Sequence, residues 1–296
     1  MKKLFFLLTA IILIGACGSA TQNSQHLKDR ISERLEGVKG DFAVAFKNLE
    51  DTTESVYINE REMFHAASTM KTPVMIELFK QAEAGKFSLD DSIIIKNEFR
   101  SIVDSSLYRM DVGEDSEGEL YSRIGEKRTI RQLINDMITV SSNLSTNILI
   151  EKVGARNVSR TMRSYGADSI KVLRGVEDIK AYQQGLSNRT TARDESIIYE
   201  KLGRGEAVSE EASEQMIEIL TNQHFNEMIP AQLPGEVVVA HKTGWITGIN
   251  HDAGLIILPD EQKYVLVLLS KNAPDREKVL AAFADISHYV YDFVVK

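Results

Sequence analysis

Strand-forming segments are concentrated near the two ends of this 296-residue chain, and this distribution constrains its fold more than any other feature. A lone two-stranded hairpin is marginal in water, so the two groups of strands must pair with each other to bury an apolar face. We therefore predict one five-stranded antiparallel sheet built from both ends of the chain. Its strands are assigned to DFAVAFKNL (41–49), ESVYIN (54–59), GEVVVAHK (235–242), DAGLIILP (252–259) and KYVLVLLS (263–270).

The middle of the chain has helical periodicity instead. Thr129 and Gln132 have the spacing of a capping box, and the helical run STNILIEKV ends at Gly154. The expected fold class is α+β, a single unit over 40–296 in which terminal helices flank the sheet and an all-helical lobe is inserted. A cleft is expected between the two lobes. Further helices are predicted over 70–84, 191–204, 209–222 and 275–295, and the lobes are assigned as α/β (about 40–67 and 195–296) and helical (about 68–194).

The N-terminal residues are typical of an export signal. Two lysines precede an apolar run from Leu4 to Ile14, which is shorter than the roughly 20 residues that a membrane-spanning helix needs. The sequence LIGAC, ending at Cys17, resembles a bacterial lipoprotein signal, in which the cysteine is lipidated. We assign 1–16 to this signal and 17–39 to a polar tether and the start of an N-terminal helix. A plain secretory signal is the alternative, and both predict an exported, periplasmic or cell-envelope protein.

Composition and the spacing of cysteine and histidine argue against several kinds of partner and bound group. The net charge of −8 argues against a nucleic-acid partner, because no basic stripe in the sequence offsets phosphate repulsion. Cys17 is the only cysteine, so neither an internal disulfide nor a cysteine-based metal site can form. The six histidines form no H-x-x-x-H or H-E-x-x-H pair, so we expect no metal and no cofactor. We expect a monomer that contacts a membrane only through a lipid anchor at Cys17.

A serine and a lysine three positions apart, Ser68 and Lys71, lie at the predicted start of the first central helix. Residues at this spacing share a helix face, so the lysine amine can reach the serine hydroxyl. Burial of Lys71 would lower its pKa and let it accept a proton from a serine nucleophile at the positive end of the helix dipole. The alternative interpretation is a helix-capping serine beside a solvated lysine.

Two further motifs follow along the chain. Ser141 and Asn143 form an S-x-N triplet at a break between helical runs, and Lys242, Thr243 and Gly244 form K-T-G at the end of a predicted strand. Each motif alone also suits a structural role, as cap residues or as a cation at a strand end. Together, S-x-x-K, S-x-N and K-T-G in this order form the signature of class A β-lactamases and penicillin-binding proteins.

Over residues 40–290 the chain therefore resembles the class A β-lactamase-type serine hydrolases. The resemblance implies that Ser68 attacks the lactam carbonyl to form an acyl-enzyme, with Lys71 helping to remove its proton. It implies that Ser141 relays a proton to the departing lactam nitrogen. It also implies that Lys242, placed among the catalytic residues, holds the substrate carboxylate.

The resemblance also implies a set of substrate contacts. Asn143 would bind the side-chain amide of the substrate, and Thr243 would help Lys242 to hold the carboxylate. Gly244 would let the strand backbone approach closely, and the N–H groups of Ser68 and Trp245 would form the oxyanion hole. The indole of Trp245 would either line the pocket wall or pack beneath the strand.

The residue that activates the deacylating water is assigned, by the same resemblance, to Glu177, 34 residues after Asn143. Three departures from the family pattern weaken this assignment of Glu177. Ala181 replaces the usual asparagine, which removes one ligand of the water, and the segment can be helical. Lys180 can pair with Glu177 or Asp178, which would make these carboxylates part of a surface ion pair.

Three other features leave alternatives open. His251 stands near the position of an arginine that contacts the substrate carboxylate in relatives, although it also suits an ordinary histidine at a strand end. Ser142 stands where the family usually has aspartate, a change expected to alter loop support. The acidic segment 101–128 either borders the cleft or forms a solvated surface loop, and we favour the surface loop.

The sequence thus predicts a serine β-lactamase that acts through an acyl-serine. A D,D-peptidase or esterase with the same nucleophile is one alternative. A penicillin-binding sensor lipoprotein that does not hydrolyse its ligand is the other.

Overall fold

The computed structural model describes the backbone of residues 12–296 and the side chains of residues 23–296. The predicted signal lies largely outside these residues, and the Cys17 side chain lies outside them as well. The strands are β1 (Asp41–Asn48), β2 (Ser55–Ile58), β3 (Phe64–His65), β4 (Ser92–Ile94), β5 (Phe99–Arg100), β6 (Leu107–Tyr108), β7 (Lys127–Thr129), β8 (Arg189–Thr190), β9 (Val238–Ile246), β10 (Ile249–Ile257) and β11 (Lys263–Lys271). The helices are α1 (Ile12–Glu36), α2 (Lys71–Glu83), α3 (Glu119–Ser122), α4 (Ile130–Thr139), α5 (Asn143–Val153), α6 (Ala155–Ser164), α7 (Ile179–Gln183), α8 (Ala192–Gly203), α9 (Glu210–Thr221) and α10 (Arg276–Val294).

The main sheet has five antiparallel strands in the order β2-β1-β11-β10-β9, which confirms the predicted sheet. The pairing of β1 with β11, from Asp41 opposite Lys271, joins the two ends of the chain. The bounds of two strands differ clearly from the prediction, because β9 runs from Val238 to Ile246 and β10 from Ile249 to Ile257. The K-T-G triplet therefore lies inside the edge strand β9, where pairing with β10 holds it, and not at the end of the strand.

The two faces of the sheet are buried in different apolar clusters, as the alternation of side chains along a strand requires. Val44 and Phe46 of β1 face α1 and α10. Ala43 and Ala45 face the opposite way, into a cluster that continues through α8 and α2 into the helical part of the molecule. The sheet is therefore covered on both faces, which confirms the predicted α+β class with flanking terminal helices.

Helix α1 covers most of the segment assigned to a tether and an N-terminal helix, residues 17–39. Its side chains at spacings of four, Leu27, Ile31 and Leu35, are buried against the sheet beside α10. Within the residues that the structure describes, no helix combines the length and the hydrophobicity needed to cross a bilayer.

Most of the predicted central helices are present. The capping box of Thr129 and Gln132 begins α4, and α5 ends at Gly154, whose φ of 80° is the left-handed conformation that glycine favours. Helix α6 was not predicted, because its ten residues bury few apolar side chains, among them Val158 and Met162. Helix α7 lies in the segment after Glu177, which the sequence analysis had allowed to be helical, and it is five residues long.

Candidate active site

Ser68 lies in a 3-10 turn, Ala67–Met70, that runs directly into α2. The preceding residue, Ala67, has a φ of 44°, a conformation that non-glycine residues rarely adopt. Its N–H donates to Nδ1 of His65 at 3.0 Å, and the N–H of Lys71 donates back to the Ser68 carbonyl. The strained turn and these bonds fix the backbone on which the serine hydroxyl is carried.

Lys71 is fully buried, and its amine is surrounded by oxygen atoms of the S-x-N triplet. Nζ donates to the Ser141 carbonyl at 2.6 Å and to Asn143 Oδ1 at 3.0 Å, and lies 3.1 Å from Ser141 Oγ. Burial lowers the pKa of Lys71 to about 7, against the opposing effects of Asp115 and Glu177. The alternative of a solvated lysine is therefore excluded, and the amine is partly neutral near pH 7.

The S-x-N triplet is held in place at the start of α5. Ser141 has a φ of 57°, and Ser142 caps the helix by accepting from the N–H of Ser145. Asp115 accepts from the N–H groups of Asn143 and Leu144 at 2.8–3.0 Å, so a carboxylate lies at the positive end of the helix. Ser142 and Asp115 thus both hold this triplet in place through hydrogen bonds to the first turn of α5.

The K-T-G strand passes across the turn that carries Ser68. A Cβ added to Gly244 would lie 3.1 Å from the Ser68 backbone nitrogen, so a larger residue would push β9 away from that N–H. Lys242 is fully buried and donates to the Thr243 carbonyl at 3.0 Å. Burial and the charge of Lys71 hold the pKa of Lys242 well below its usual value, and Asp252 opposes them. The structure thus brings Ser68, Lys71, Ser141 and K-T-G together.

Glu177 lies on the loop before α7 with a φ of 60°. Its Oε2 accepts from the N–H of Asp111 at 3.0 Å, while its buried Oε1 has no hydrogen-bond partner among the described residues. Its pKa is raised, because burial outweighs that hydrogen bond. Lys180 does not pair with Glu177 or Asp178; it binds Asp104 at 2.7 Å. Ala181 is fully buried and offers no polar side chain.

Asn147 fixes the backbone next to Glu177. Its Oδ1 accepts from the N–H of Val176 at 2.7 Å, and its Nδ2 donates to the carbonyl of the same residue at 3.0 Å. Gly175 packs so closely on this amide that an added Cβ would lie 2.3 Å from Oδ1. Sequence reasoning missed this residue, although it lies one helical turn after Asn143 on α5, a spacing that could have indicated a shared face.

Residues 111–116 of the segment 101–128 border the site, so our preference for a solvated surface loop was wrong for this part of the segment. Asp111 contacts Glu177 and Asp115 caps α5, as described above. The Ser116 hydroxyl also donates to the Val140 carbonyl at 2.6 Å, and the hydroxyl of Ser101 donates to Asp178 at 2.9 Å. The Asp115 carboxylate accepts backbone N–H groups of the site, and Asp111 donates its own backbone N–H to Glu177.

The histidines near the motifs are held by structural contacts. His251 is fully buried; its Nε2 lies 2.8 Å from the His65 carbonyl, and its Nδ1 accepts from the N–H of Ser270. Burial lowers its pKa to about 4, so the ring is neutral and is not presented to a substrate carboxylate as we had considered. His241 binds the buried carboxylate of Asp252 at 2.8 Å.

Trp245 is 60% exposed, which excludes packing beneath the strand. The guanidinium carbon of Arg276 lies 5.8 Å from its ring centroid, within cation–π range. The indole therefore lies on the outer side of β9. Across the described residues, the His, Cys, Asp and Glu side chains form no group of three that could bind a metal ion.

Glu195 is a fully buried carboxyl directly behind the nucleophile turn, and sequence reasoning also missed it. Its Oε1 accepts from the hydroxyls of Thr69 and Thr190, both at 2.9 Å, and its buried Oε2 has no partner among the described residues. Burial raises its pKa to about 7. It lies early in α8, where an acidic residue in a first helical turn normally indicates a solvated position favoured by the dipole.

Replacing Glu195 with glutamine is expected to change how stability depends on pH. The folded protein holds the Glu195 proton more tightly than the unfolded chain, so the stability that this proton contributes is present below about pH 4.5 and lost as pH rises through 7. The size of this loss is about 3 kcal/mol. Urea unfolding at pH 5 and pH 8 should show that the free energy of unfolding falls between these two pH values through this group in the wild type but not in E195Q. Equal pH dependence in the two proteins would contradict the assignment.

Comparison with known proteins gives consistent matches along nearly the whole chain. The family model described as Beta-lactamase enzyme family matches residues 25–294. A β-lactamase of Citrobacter koseri is 28% identical over 292 residues, covering 95% of this chain and 92% of its own length. The extended-spectrum β-lactamase PER-1 of Pseudomonas aeruginosa is 24% identical over 283 residues, covering 91% of this chain and 88% of PER-1.

Solved structures show the same fold. The TLA-1 extended-spectrum β-lactamase superposes with a TM-score of 0.79 at 21% identity, covering 93% of this chain and 100% of that one. At this level of identity the likeness concerns the arrangement of helices and strands alone.

Proposed function

This chain belongs to the β-lactamase enzyme family, and from that premise we propose that it is a serine β-lactamase that hydrolyses the β-lactam amide through an acyl-enzyme on Ser68. The observation that carries this mechanism is the buried amine of Lys71, which follows Ser68 by one helical turn and contacts both oxygens of Ser141. Hydrolysis of β-lactams is an antibiotic-resistance function.

Acylation begins when neutral Lys71 accepts the proton of the Ser68 hydroxyl. The Ser68 oxygen then bonds to the lactam carbonyl carbon, and the negative charge on the carbonyl oxygen is stabilised by the N–H groups of Ser68 and Trp245. The C–N bond breaks as Ser141 gives its hydroxyl proton to the nitrogen, and Lys71 returns a proton to Ser141. This order suits the contacts of Lys71, because the Ser141 hydroxyl is the one neighbour that can both accept from and donate to the amine.

Binding of the substrate is assigned to groups on both sides of Ser68. Lys242 and Thr243 hold its carboxylate, and Asn143 binds its side-chain amide. Gly244 supports this arrangement, because its missing side chain lets β9 lie against the Ser68 N–H.

Deacylation is assigned to Glu177. Its unpaired Oε1 accepts a proton from a water molecule, the water oxygen bonds to the acyl carbon, and the proton is delivered to the departing Ser68 oxygen. The raised pKa of Glu177 strengthens it as a base at neutral pH. Asn147 acts as a positioning residue, since it holds the peptide group that precedes Glu177.

One experiment tests the proposal against its alternatives. Purified protein is mixed with a chromogenic cephalosporin while its intact mass is followed. A rapid colour change with a transient mass increase on Ser68 is expected. A protein that neither changes the colour nor gains mass would contradict the β-lactam substrate and leave a D,D-peptidase or esterase as the function of the same nucleophile.

A second candidate function is a penicillin-binding sensor that becomes acylated but is not deacylated. The observation that favours it is Ala181, a buried apolar residue that cannot help Glu177 to hold the water. In the same experiment this candidate predicts a mass increase on Ser68 that persists, with at most one colour change per protein molecule.

We also propose that the chain is exported as a monomer and anchored in the cell envelope by a lipid on Cys17. This rests on the sequence around Cys17 and on the apolar run that precedes it. Cells fed a labelled fatty acid are expected to label the wild-type protein and not a Cys17→Ser variant. Label in both proteins would contradict the anchor.

A further inference from the structure

A groove of about 600 Å³ lies on the helical side of the molecule, and none of its residues belongs to the site described above. We call it the basic groove. Four of its side chains are cationic: Arg156, Arg160, Arg163 and Lys171. Three others are both apolar and exposed: Ile102, Leu173 and Leu186.

Helix α6 forms one wall of the basic groove. Arg156, Arg160 and Arg163 follow one another at spacings of four and three, so they lie on one face of the helix. The opposite face is buried through Val158 and Met162. The three arginines therefore form a row about 10 Å long, given the rise of 1.5 Å per residue.

The facing wall includes residues 171–173, and its backbone is fixed by hydrogen bonds. The Ser159 hydroxyl of α6 donates to the Val172 carbonyl and accepts from its N–H, both at 2.9 Å. Lys171 pairs with Arg189 in an antiparallel bridge, with N···O distances of 2.9 and 3.0 Å. These hydrogen bonds fix the backbone of both walls, so the positions from which the four cationic side chains extend are fixed as well.

None of the four cations forms an ion pair within the described part of the chain, whereas other surface cations do. Arg160 donates to the Asn157 side chain at 3.3 Å, which leaves its charge uncompensated. This concentration of positive charge occurs in a protein with a net charge of −8. Since charges farther away than a Debye length of about 8 Å are screened at physiological salt, an approaching anion experiences the local cations and not the net charge.

Three apolar side chains of the groove are exposed to solvent. Ile102 is 48% exposed, and Leu173 and Leu186 are each 36% exposed. A single small anion would leave these side chains in water and would contact only part of the arginine row. An anionic lipid surface offers several phosphates to the row and acyl chains to the three apolar residues.

We propose that the basic groove binds the phosphate-bearing headgroups of an anionic membrane surface, with Ile102, Leu173 and Leu186 contacting the acyl chains. The proposal is independent of the catalytic assignment. It is also distinct from a lipid on Cys17, because it requires no covalent modification.

Sedimentation with vesicles tests the proposal. The full chain carrying Cys17→Ser, which cannot be lipidated, is mixed with phosphatidylglycerol vesicles or with phosphatidylcholine vesicles. We expect at least tenfold stronger binding to phosphatidylglycerol, lost at 1 M salt. Because each cation near such a surface contributes about fivefold, the triple variant R156Q/R160Q/R163Q is expected to bind about 100-fold more weakly.

A matched triple variant, K39Q/K86Q/K127Q, removes the same charge from exposed positions elsewhere and is expected to bind like the parent. Both variants should keep the parent's activity on the chromogenic cephalosporin, which shows that they are folded. Equal loss in the two triple variants would overturn the proposal, since net charge alone would then control binding. Equal binding to phosphatidylglycerol and phosphatidylcholine vesicles would also overturn the proposal. So would loss of vesicle binding in millimolar inorganic phosphate, because the groove would then be a site for the free anion.

Discussion

Replacing Lys71 with methionine is expected to lower the rate at which a β-lactam acylates Ser68 by about 10²–10⁴-fold, the usual contribution of a general base. The side chain keeps a similar length and loses the amine that contacts Ser141. The wild-type rate should also depend on pH, since Lys71 accepts a proton only when neutral and its pKa is lowered to about 7. Acylation should rise about tenfold per pH unit below 7 and level off above it.

Stopped-flow measurement of acylation from pH 5 to pH 9 checks both expectations. The K71M variant should be slow at every pH and should lack the rise centred near pH 7. A melting temperature close to that of the wild type shows that the loss is not unfolding. If K71M acylates at the wild-type rate, or keeps the same pH profile, another group such as Glu177 removes the proton of Ser68.

Replacing Glu177 with glutamine is expected to leave acylation largely intact and to slow release of the acyl group by about 10²–10⁴-fold. The amide keeps the hydrogen bond from Asp111 but cannot take a proton from water. Intact mass measured minutes after mixing with a cephalosporin should therefore show the adduct on Ser68 as the main species. In the wild type the same adduct should be transient.

A Glu210→Gln variant provides the matched control, since Glu210 is an exposed residue in the first turn of α9. It should deacylate like the wild type. If E177Q turns over as fast as the wild type, Glu177 does not activate water. If the wild type itself retains the adduct, the protein acts as the sensor described above.

The fold and the core of the site could be predicted from sequence because their signals are local. The strands alternate or are continuously apolar, and S-x-x-K, S-x-N and K-T-G are each contiguous. The three motifs come together when the strands from the two ends of the chain pair, because this pairing places β9 beside the turn that carries Ser68. The burial of Lys71, which sets its pKa, could be expected only from the assembled fold.

The supporting residues could not be predicted in this way. Asp115 caps α5 from 28 residues earlier in the chain, within a segment whose charges suggest solvation. Glu195 has the appearance of an ordinary acidic residue early in a helix, yet it is buried against Thr69. His251 stands at a suggestive position, but its ring is occupied by backbone groups on both sides. In each case at least one partner comes from a distant segment, so no spacing along the chain reveals it.

The pairing of β1 with β11 has a consequence for how the protein reaches its native state. These strands are more than 200 residues apart along the chain, and β11 separates β1 from β10 and β9. The first hairpin therefore has no further partner strand until synthesis has passed β11. Closing so long a loop costs entropy before any contact compensates for it, so we expect slow, late folding, with a long-lived unfolded chain.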